Sequence, residues 1–303
     1  MTLRVNYPRA HREHVSHALR LLNAGKKIAL VTLVHIEGNA PYPVGSQMLV
    51  SETGEFFGQI TGGCAESAIA DQAVAAIERG ENLTERYGLD SPYFDIQLPC
   101  GSGIDVFFDC QLNREYLLAL ETELDCRRSA TRSISSITKE YLPNARLLAL
   151  GQGPILCKLA LLALECGFEV VCVAQNEDTE KRLLDKKIAC HLLDSSFSLS
   201  QACDDHTAVV SLFHEHDLEI PLLKEALSTD VFYIGALGSK KTQQARLDSL
   251  RAACVAEALL ARIHGPVGID IGANTPSQIA ISILAEVVAV LNDLDSPERC
   301  KQS

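Results

Sequence analysis

Cys64 lies in a position that suits thiol chemistry. The segment TGGCAE, residues 61–66, stands between a predicted strand and a predicted helix. Gly62 and Gly63 let a ligand approach the backbone, and the positive end of a helix lowers the pKa of a nearby thiol. The segment predicts either a reactive thiol at Cys64 or a capped turn that contains a small, buried cysteine.

A second thiol, Cys100, precedes Gly101 and Ser102 at the start of another predicted strand. A soft metal or a sulfur-bearing ligand would suit Cys64 and Cys100 together if the fold brings them close, and two separate turns are the alternative. The Gly-Ser-Gly sequence at 101–103 is too short for the nucleophile elbow of a serine hydrolase. It also leads into a strand, whereas the elbow leads into a helix.

Gly151 and Gly153 follow a predicted strand and begin a predicted helix. Glycines at such a turn let the amides of the helix face a phosphate group. The dinucleotide fingerprint also requires Gly or Ala at 156 and an acid about 20 residues further on. The chain has Leu156, and Gln175 stands where the acid is expected. The turn therefore predicts a phosphate site, a tight connection without a ligand, or a site for a ligand other than a dinucleotide.

The segment YIGALGSKK repeats this arrangement later in the chain. Gly235 and Gly238 precede Ser239, which can cap the next helix. Lys240 and Lys241 add positive charge beside the first amides of that helix. The segment predicts either an anion site or a plain capped helix.

His214, His216 and Asp217 follow the predicted strand TAVVSLF. The carboxyl end of a parallel strand is where α/β proteins bind ligands. Two imidazoles with a carboxylate could hold a divalent metal, with His214 and His216 as weak candidates. A ligand contact without metal and a solvated loop are the alternatives.

The segment PVGIDIGANTP precedes the last predicted helix. Thr275 is its predicted N-cap, and Pro276 takes the first helical position. Asp270 is expected to be a buried acid beside flexible backbone that includes Gly272. Glu286 interrupts an apolar helix face and needs a partner there, so it is either part of a structural ion pair or a site residue.

The elements that position these residues fall into two groups. Residues 1–125 show helical patterns at 9–25 and 65–80 with short strands between and after them, which predicts a small N-terminal α+β domain. From 146 to 303 strands alternate with helices, which predicts a parallel sheet covered on both faces. The Ser/Thr/Arg-rich stretch 126–145 is the predicted linker. The expected fold class is α/β, with a Rossmann-like, doubly wound C-terminal domain.

Composition excludes several classes of protein. The 303 residues include 27 basic and 39 acidic side chains, a net charge of −12, whereas a nucleic-acid groove needs a basic field. The eleven cysteines are irregularly spaced without a C-x-x-C pair, which argues against a disulfide scaffold and a zinc ribbon. No signal-peptide core is visible, and no apolar run is expected to reach the roughly 18 residues of a membrane span. We expect a cytoplasmic protein.

Taken together, these segments resemble the xanthine dehydrogenase accessory factor family of XdhC/CoxI type. The resemblance rests on GNAPYPVGSQMLV, TGGCAE, the Cys-Gly-Ser sequence at 100–102, the G-x-G turn, YIGALGS and PVGIDIGANTPSQIAISILAE, in that order along the chain. Five positions lack a glycine or a charged side chain that the family pattern has: Tyr42, Thr61, Ser102, Asn274 and Gln278. We therefore expect a divergent member.

The resemblance implies a chaperone without catalytic residues of its own. Such a protein binds the molybdenum cofactor (molybdopterin) as cargo and delivers it to an apo molybdenum hydroxylase of xanthine dehydrogenase type. We also expect a cofactor-sulfurating enzyme as a partner, and a homodimer. The cofactor would lie between the N-terminal thiols and the carboxyl edge of the Rossmann sheet. The residues expected to bind it are Gly62, Gly63, Cys64, Glu66, Cys100, Gly101, Gly151, Gly153, His214, Gly235, Gly238, Ser239, Asp270 and Gly272.

Three other functions are consistent with the residues. An NAD(P)-dependent oxidoreductase would use the Rossmann half, although the missing ribose-binding acid counts against it. A metal-dependent hydrolase would use His214, His216 and Asp217. A scaffold protein that has lost ligand binding would explain the substituted motif positions.

Overall fold

The computed structural model of the chain describes residues 3–5, 11–92, 101–194, 197–213 and 216–295. The chain divides into two compact units, Met1–Pro143 and Asn144–Ser303. The boundary between them lies near the end of the predicted linker, so most of the stretch 126–145 belongs to the first unit.

The described residues of the first unit form three helices and two sheets. Its elements are, in chain order, β1 (Leu3–Val5), α1 (His11–Asn23), β2 (Ile28–Glu37), β3 (Gln47–Ser51), β4 (Phe56–Gly58), α2 (Glu66–Arg79), β5 (Leu83–Gly88), β6 (Gly103–Asp109), α3 (Arg114–Asp125), β7 (Ala130–Ile134) and β8 (Ile137–Tyr141). Five strands form an antiparallel sheet in the order β4-β3-β2-β6-β5. A second sheet has the order β1-β8-β7, with β1 parallel to β8.

Helices cover both faces of the antiparallel sheet because the side chains of its central strand alternate between two cores. Ala29, Val31 and Leu33 of β2 belong to the core that contains the buried face of α2. Ile28 and Leu30 belong to the core formed with α1 and α3. Successive residues of a strand face opposite sides of a sheet, so the continuous apolar run of β2 buries both faces.

Two parts of the first unit differ from the expectation. The edge strand β5 carries the largely polar sequence LTERYG, which gave no strand signal. The predicted linker at 126–145 is wrong, because it contains the antiparallel hairpin β7–β8 with Ile134, Ile137 and Tyr141 buried. Its Ser/Thr/Arg-rich composition concealed the hairpin because only alternate residues of these short strands face the interior.

The second unit alternates strands and helices. Its elements are β9 (Arg146–Gly151), α4 (Gly153–Glu165), β10 (Glu169–Ala174), α5 (Glu177–Leu184), β11 (Ala189–Leu192), α6 (Leu199–Ala202), β12 (Thr207–Leu212), α7 (His216–Leu227), β13 (Tyr233–Ala236), α8 (Lys240–Ala252), α9 (Glu257–Leu260), β14 (Ile263–His264) and α10 (Pro276–Asp295). The six strands form a parallel sheet in the order β11-β10-β9-β12-β13-β14.

The parallel sheet confirms the predicted Rossmann-like, doubly wound class. Leu147 and Ala149 of β9 face a core shared with α4 and α10, whereas Leu148 and Leu150 face a core shared with α7 and α8. The chain runs outward from β9 to β11 on one side and from β12 to β14 on the other. The topological switch point, where ligands bind in such folds, therefore lies at the carboxyl ends of β9 and β12.

Helix α10 is long and apolar enough to meet the criterion for a membrane span, although the sequence analysis expected no such segment. The 19 residues from Pro276 to Leu294 have a mean hydropathy of 1.5, so they meet that criterion by length and composition. Ala280, Ile283 and Val287 on one side of the helix pack into the core that also contains α4.

Candidate ligand sites on the two units

The carboxylate of Glu66 holds the turn that carries Cys64. The amides of Ile60 and Thr61 donate to Glu66 Oε1 at 3.1 and 2.7 Å. The Gly63 amide donates to Oε2 at 2.8 Å, and the Thr61 hydroxyl donates to the same oxygen. Glu66 is only 3% exposed, and these hydrogen bonds give it a role in positioning the turn, while the expected ligand contact stays a prediction.

These hydrogen bonds outweigh burial in setting the pKa of Glu66. Burial raises that pKa, but the hydroxyl and amide of Thr61 and the amide of Ile60 lower it to about 2. The amides of Gly63 and Ala65, which lie on either side of Cys64 just before α2, donate to this ionised carboxylate. The Cys64 thiol itself is exposed to solvent, so the alternative of a buried cysteine is wrong.

The loop that joins β2 to β3 contacts both glycine turns of the first unit. A Cβ atom on Gly62 would lie 3.7 Å from the ring of Tyr42, and a Cβ atom on Gly38 would lie 3.5 Å from Ser102. The Tyr42 hydroxyl donates to Gln59 Oε1 at 2.8 Å. Tyr42 therefore replaces the family's arginine with a neutral contact that fixes the loop beside the Gly62 turn.

The second predicted thiol, Cys100, lies outside the described residues. Gly101 has a φ of +64°, and no described atom lies within 4 Å of the place a Cβ would take, so the turn is open on that side. The carbonyl of Ser102 accepts from the Leu89 amide at 2.9 Å. The proximity of the two thiols stays a prediction.

Gly151 is required where the two central strands of the parallel sheet meet. It pairs with Leu212 of β12, and a Cβ atom on Gly151 would lie 2.7 Å from the Leu212 carbonyl carbon and oxygen. Its φ of +133° also favours glycine. A side chain here would force β9 and β12 apart at the switch point, so the structure explains Gly151 by packing.

The Gly153 amide, the predicted phosphate donor, is bound by another part of the same unit. It donates to Thr179 Oγ1 at 3.1 Å. Asn176 caps α5 by accepting from the Thr179 amide at 2.9 Å, and its side-chain amide donates to Gln152. A phosphate group at this turn would have to displace the Thr179 hydroxyl.

Gln175 follows β10 where dinucleotide-binding domains carry an acid. Its Oε1 is buried, and within the described part of the chain it has no hydrogen-bond partner. A buried carbonyl oxygen in this state has the capacity to accept a hydrogen bond from a ligand. A neutral amide, however, offers one uncharged acceptor oxygen, whereas a carboxylate offers two charged ones for the two ribose hydroxyls.

The second predicted anion turn is built as expected. The Ser239 hydroxyl accepts from the Thr242 amide at 3.1 Å, which confirms the cap of α8. Lys240 and Lys241 are exposed, and neither forms a salt bridge with any described residue. A Cβ atom on Gly238 would lie 2.8 Å from Thr242 Cγ2, so this glycine permits the close turn.

Arg246 and Glu219 form a buried ion pair behind this turn that no motif indicated. Arg246 Nε lies 2.9 Å from Glu219 Oε2, and the two side chains are 0% and 2% exposed. Arg246 also donates to the Leu237 carbonyl at 2.7 Å and to Gln243, while the Ser211 hydroxyl donates to Glu219. The network ties the ends of β12 and β13 to α7 and α8.

A signal for this network was present in the sequence. Gln243, Arg246 and Leu250 follow the spacing of a buried helix face, and all three are buried. An arginine on such a face needs an acid, so the pattern predicts a partner even though it does not identify Glu219.

Asp270 and Gly272 lie on an exposed loop. The Gly272 amide donates to Asp270 Oδ1 at 3.2 Å, and both residues are exposed. The expectation of a buried acid at Asp270 is wrong, because its carboxylate folds back on the loop that carries it.

The start of α10 keeps its cap despite the two substituted motif positions. The Gln278 amide donates to Thr275 Oγ1 at 3.4 Å, and Gln278 Oε1 accepts from the amides of Asn274 and Thr275 at 3.1 and 3.3 Å. This reciprocal arrangement is a capping box, in which Gln serves as well as Glu. The loss of the acid at 278 therefore leaves the helix start intact.

Glu286 has the partners that its apolar helix requires. Its carboxylate accepts from the Tyr233 hydroxyl and, at 2.8 Å, from the Gly268 amide, and it faces His264 at 3.7 Å. Gly235 is buried in β13, where a Cβ atom would lie 2.8 Å from the Tyr233 hydroxyl. Packing against Tyr233 explains this glycine, so a ligand contact at Gly235 is not needed.

The two metal candidates lie at the edge of what the structure describes. His214 is outside the described residues, and so is the side chain of His216, whose backbone begins α7. Among the side chains that are described, no group of three or more His, Cys, Asp or Glu could hold a metal ion.

Both units match families of known proteins. Residues 147–287 match the XdhC Rossmann domain, and residues 21–88 match the XdhC and CoxI family. The chain is 34% identical over 288 residues to the molybdenum cofactor insertion chaperone PaoD of Escherichia coli, a match that covers 92% of this chain and 88% of that protein.

More distant relatives extend the comparison. The chain is 23% identical to a probable xanthine dehydrogenase subunit of Bacillus subtilis, over 88% of this chain and 94% of that protein. A crystal structure described as a xanthine dehydrogenase from Bacillus halodurans shares the fold, with a TM-score of 0.77, 21% identity, and coverage of 93% of this chain and 98% of that one. The 34% identity along nearly the whole chain shows that this protein belongs to the XdhC and CoxI family.

Proposed function

We propose that this chain binds the molybdenum cofactor as cargo and inserts it into an apo molybdenum hydroxylase of xanthine dehydrogenase type. The observation that carries the proposal is the 34% identity, over 92% of the chain, with a molybdenum cofactor insertion chaperone. That match spans both units, so the proposal concerns the whole chain.

The turn of Cys64 supports a role in holding the cofactor. A thiol is a soft ligand, and soft ligands suit metals that are bound by sulfur. The molybdenum of this cargo is bound by the two sulfur atoms of a dithiolene. Cys64 is exposed, and Gly63 has no described atom within 4 Å of its Cβ position, so the backbone is accessible beside the thiol. Glu66 fixes the turn before the cargo arrives.

The second unit offers charge for the phosphate end of the cofactor. Lys240 and Lys241 are exposed at the capped start of α8, in a chain that is acidic as a whole. An anion is attracted by local positive charge and by free helix amides. The buried pair of Arg246 and Glu219 keeps this turn in place.

Co-purification tests the proposal. The tagged chain is expressed in cells that make the cofactor, and the molybdenum and pterin that stay bound after gel filtration are measured. We expect both in comparable amounts, and less of both on Cys64→Ala. Cys126→Ala, which removes another exposed thiol of the same unit, is the control and should retain the wild-type amount. A chain free of pterin refutes cargo binding, and equal retention by Cys64→Ala refutes the role of the thiol.

The proposal extends to partners and location. We place the chain in the cytoplasm as a homodimer that meets the apo hydroxylase and a cofactor-sulfurating enzyme. A pull-down from a cytoplasmic extract should recover both enzymes in addition to the chain, and light scattering should give twice the 32.9 kDa chain mass. A monomer in that experiment would refute the dimer.

An NAD(P)-dependent oxidoreductase is the alternative that the strand order of the parallel sheet favours. Gln175 opposes it, because the ribose-binding acid is replaced by an amide, and so does the engagement of the Gly153 amide by Thr179. Fluorescence titration with NADH and NADPH distinguishes the two functions. Saturable binding at micromolar dinucleotide, retained after the pterin is removed, would favour the oxidoreductase.

A further inference from the structure

His264 lies at the carboxyl end of β14, in contact with two titratable residues from neighbouring elements. Its Nδ1 is 3.7 Å from Glu286 Oε1 of α10. Its ring stacks on the Tyr233 ring of β13, with 4.5 Å between the centroids and 30° between the planes. The imidazole is therefore held in one orientation by contacts on its face and on its Nδ1 edge.

The carboxylate behind His264 is itself fixed. Glu286 Oε2 accepts from the Tyr233 hydroxyl and from the Gly268 amide at 2.8 Å, which leaves Oε1 to face the imidazole. Burial, and then the hydrogen bond to Glu286, raise the pKa of Tyr233, so the phenol stays protonated as the donor. Tyr233 and Glu286 are therefore hydrogen-bonded to each other, and the free oxygen of Glu286 lies at ion-pair distance from His264 at the sheet edge.

The outer side of the imidazole is available to a ligand. The His264 side chain is 37% exposed, and its Nε2 forms no hydrogen bond with any residue that the structure describes. The contacts on its face and on its Nδ1 side direct Nε2 outward, where it can donate to an acceptor when it carries a proton. His264 thus presents one directed donor.

The surroundings favour an anion over a metal. No cluster of three metal-binding side chains occurs among the described residues. The residue after His264, Gly265, packs against Gln243 of α8, since a Cβ on Gly265 would lie 2.1 Å from Gln243 Oε1. That helix begins one turn earlier with the exposed Lys240 and Lys241.

We infer that His264, held by Glu286 and Tyr233, binds an oxyanion of the phosphate class at the carboxyl edge of the parallel sheet. The charged groups on the elements around it include Glu286 and Asp293 of α10, Asp270 on the neighbouring loop, Lys240, Lys241, Arg246, Asp248 and Arg251 of α8, and Arg262 before β14, which donates to three main-chain carbonyls. Arg246 and Glu219 neutralise each other, and Asp270 turns to the Gly272 amide. The identity of the natural ligand rests on the proposed function, which makes it the phosphate of the cofactor. The oxyanion site itself does not rest on that function.

Pyrophosphate titration of the cofactor-free chain tests the inference. The histidine Cε1–H resonances are followed by NMR, and the resonance of His264 is assigned as the one that His264→Gln lacks. We expect that resonance to shift saturably with inorganic pyrophosphate. The dissociation constant should weaken about tenfold in His264→Gln, the loss expected for one charge-assisted hydrogen bond at a partly exposed site.

His191→Gln is the matched control, because His191 is an exposed histidine on β11 of the same sheet. It should bind pyrophosphate like the wild type. A His264 resonance that does not move, or equal affinity in His264→Gln and wild type, overturns the inference. Neither result says whether the chain retains the cofactor. The oxyanion site can therefore be refuted without refuting the proposed function.

Discussion

Arg246→Met removes the positive charge at the centre of the buried network in the second unit. Arg246 is fully buried and contacts Glu219, Gln243 and the Leu237 carbonyl. Methionine fills similar space without a charge or a donor. The substitution therefore leaves the Glu219 carboxylate in the interior without the charge that compensates its burial.

The expected cost is large because both groups are shielded from water. Breaking a buried ion pair by removing one partner costs about 3–5 kcal/mol, since the remaining charge stays desolvated. For a unit of this size that corresponds to a fall of about 6–20 °C in the melting temperature. The exposed pair of Arg251 on α8 and Glu257 on α9 serves as the comparison, because its side chains are 40% and 70% exposed. Arg251→Met should cost much less than Arg246→Met, because water already solvates both charges of the exposed pair.

Urea denaturation followed by far-UV circular dichroism measures these differences. The double variant Arg246→Met/Glu219→Met completes the cycle, and it should be more stable than Arg246→Met alone because it removes the second buried charge as well. Two results would refute the reasoning. One is a cost for Arg246→Met no greater than that of Arg251→Met, and the other is a double variant less stable than Arg246→Met.

Three further predictions concern single side chains of the first unit. The pKa of Glu66 is about 2 in the folded chain, below its usual value of 4.5, so the stability that it contributes should be lost as pH falls from about 4.5 to 2. Between pH 4.5 and 2, the unfolding free energy of Glu66→Gln should fall by about 2–3 kcal/mol less than that of the wild type. An equal fall in both proteins would contradict the role of the carboxylate. Burial lowers the pKa of Lys139 from 10.5 to about 7, so the unfolded chain binds more protons between those values. The free energy of unfolding should therefore rise from pH 7 to 10, by up to about 1.4 kcal/mol per pH unit, and Lys139→Met should abolish the rise. Iodoacetamide with peptide mass spectrometry should label the exposed Cys64 before Cys110, whose pKa burial raises to about 11, and equal rates would contradict the described exposure.

The architecture of the second unit could be predicted because its local signals agree with one another. The central strands β9 and β12 are apolar runs, and helices α4, α5 and α8 begin at Gly153 or at the capping residues Asn176 and Ser239. Repeated strand–helix units leave a parallel, doubly wound sheet as the simplest solution. The hairpin β7–β8 could not be predicted in this way, because its inward positions include Lys139 among apolar residues.

The candidate sites were predictable by position but not by role. Gly151, Gly153 and Gly235 stand at the expected places, yet the structure explains Gly151 and Gly235 by close packing and binds the Gly153 amide to Thr179. Local sequence predicts where a backbone bends, whereas contacts made by residues distant in the chain decide what a bend can bind. The pair of His264 and Glu286 depends on such contacts, because 22 residues separate them and only the packing of α10 on the sheet brings them together.

The transfer of cofactor to a molybdenum hydroxylase tests the central claim most directly. The chain is loaded with molybdenum cofactor, freed of excess by gel filtration, and mixed in equal amount with a cofactor-free xanthine dehydrogenase-type enzyme. We predict that the enzyme gains molybdenum and hydroxylase activity while the chain loses its pterin, and that Cys64→Ala, after the same loading and filtration, restores less activity than Cys126→Ala. An enzyme that stays inactive while the loaded chain keeps its pterin would contradict the claim that this protein inserts the cofactor.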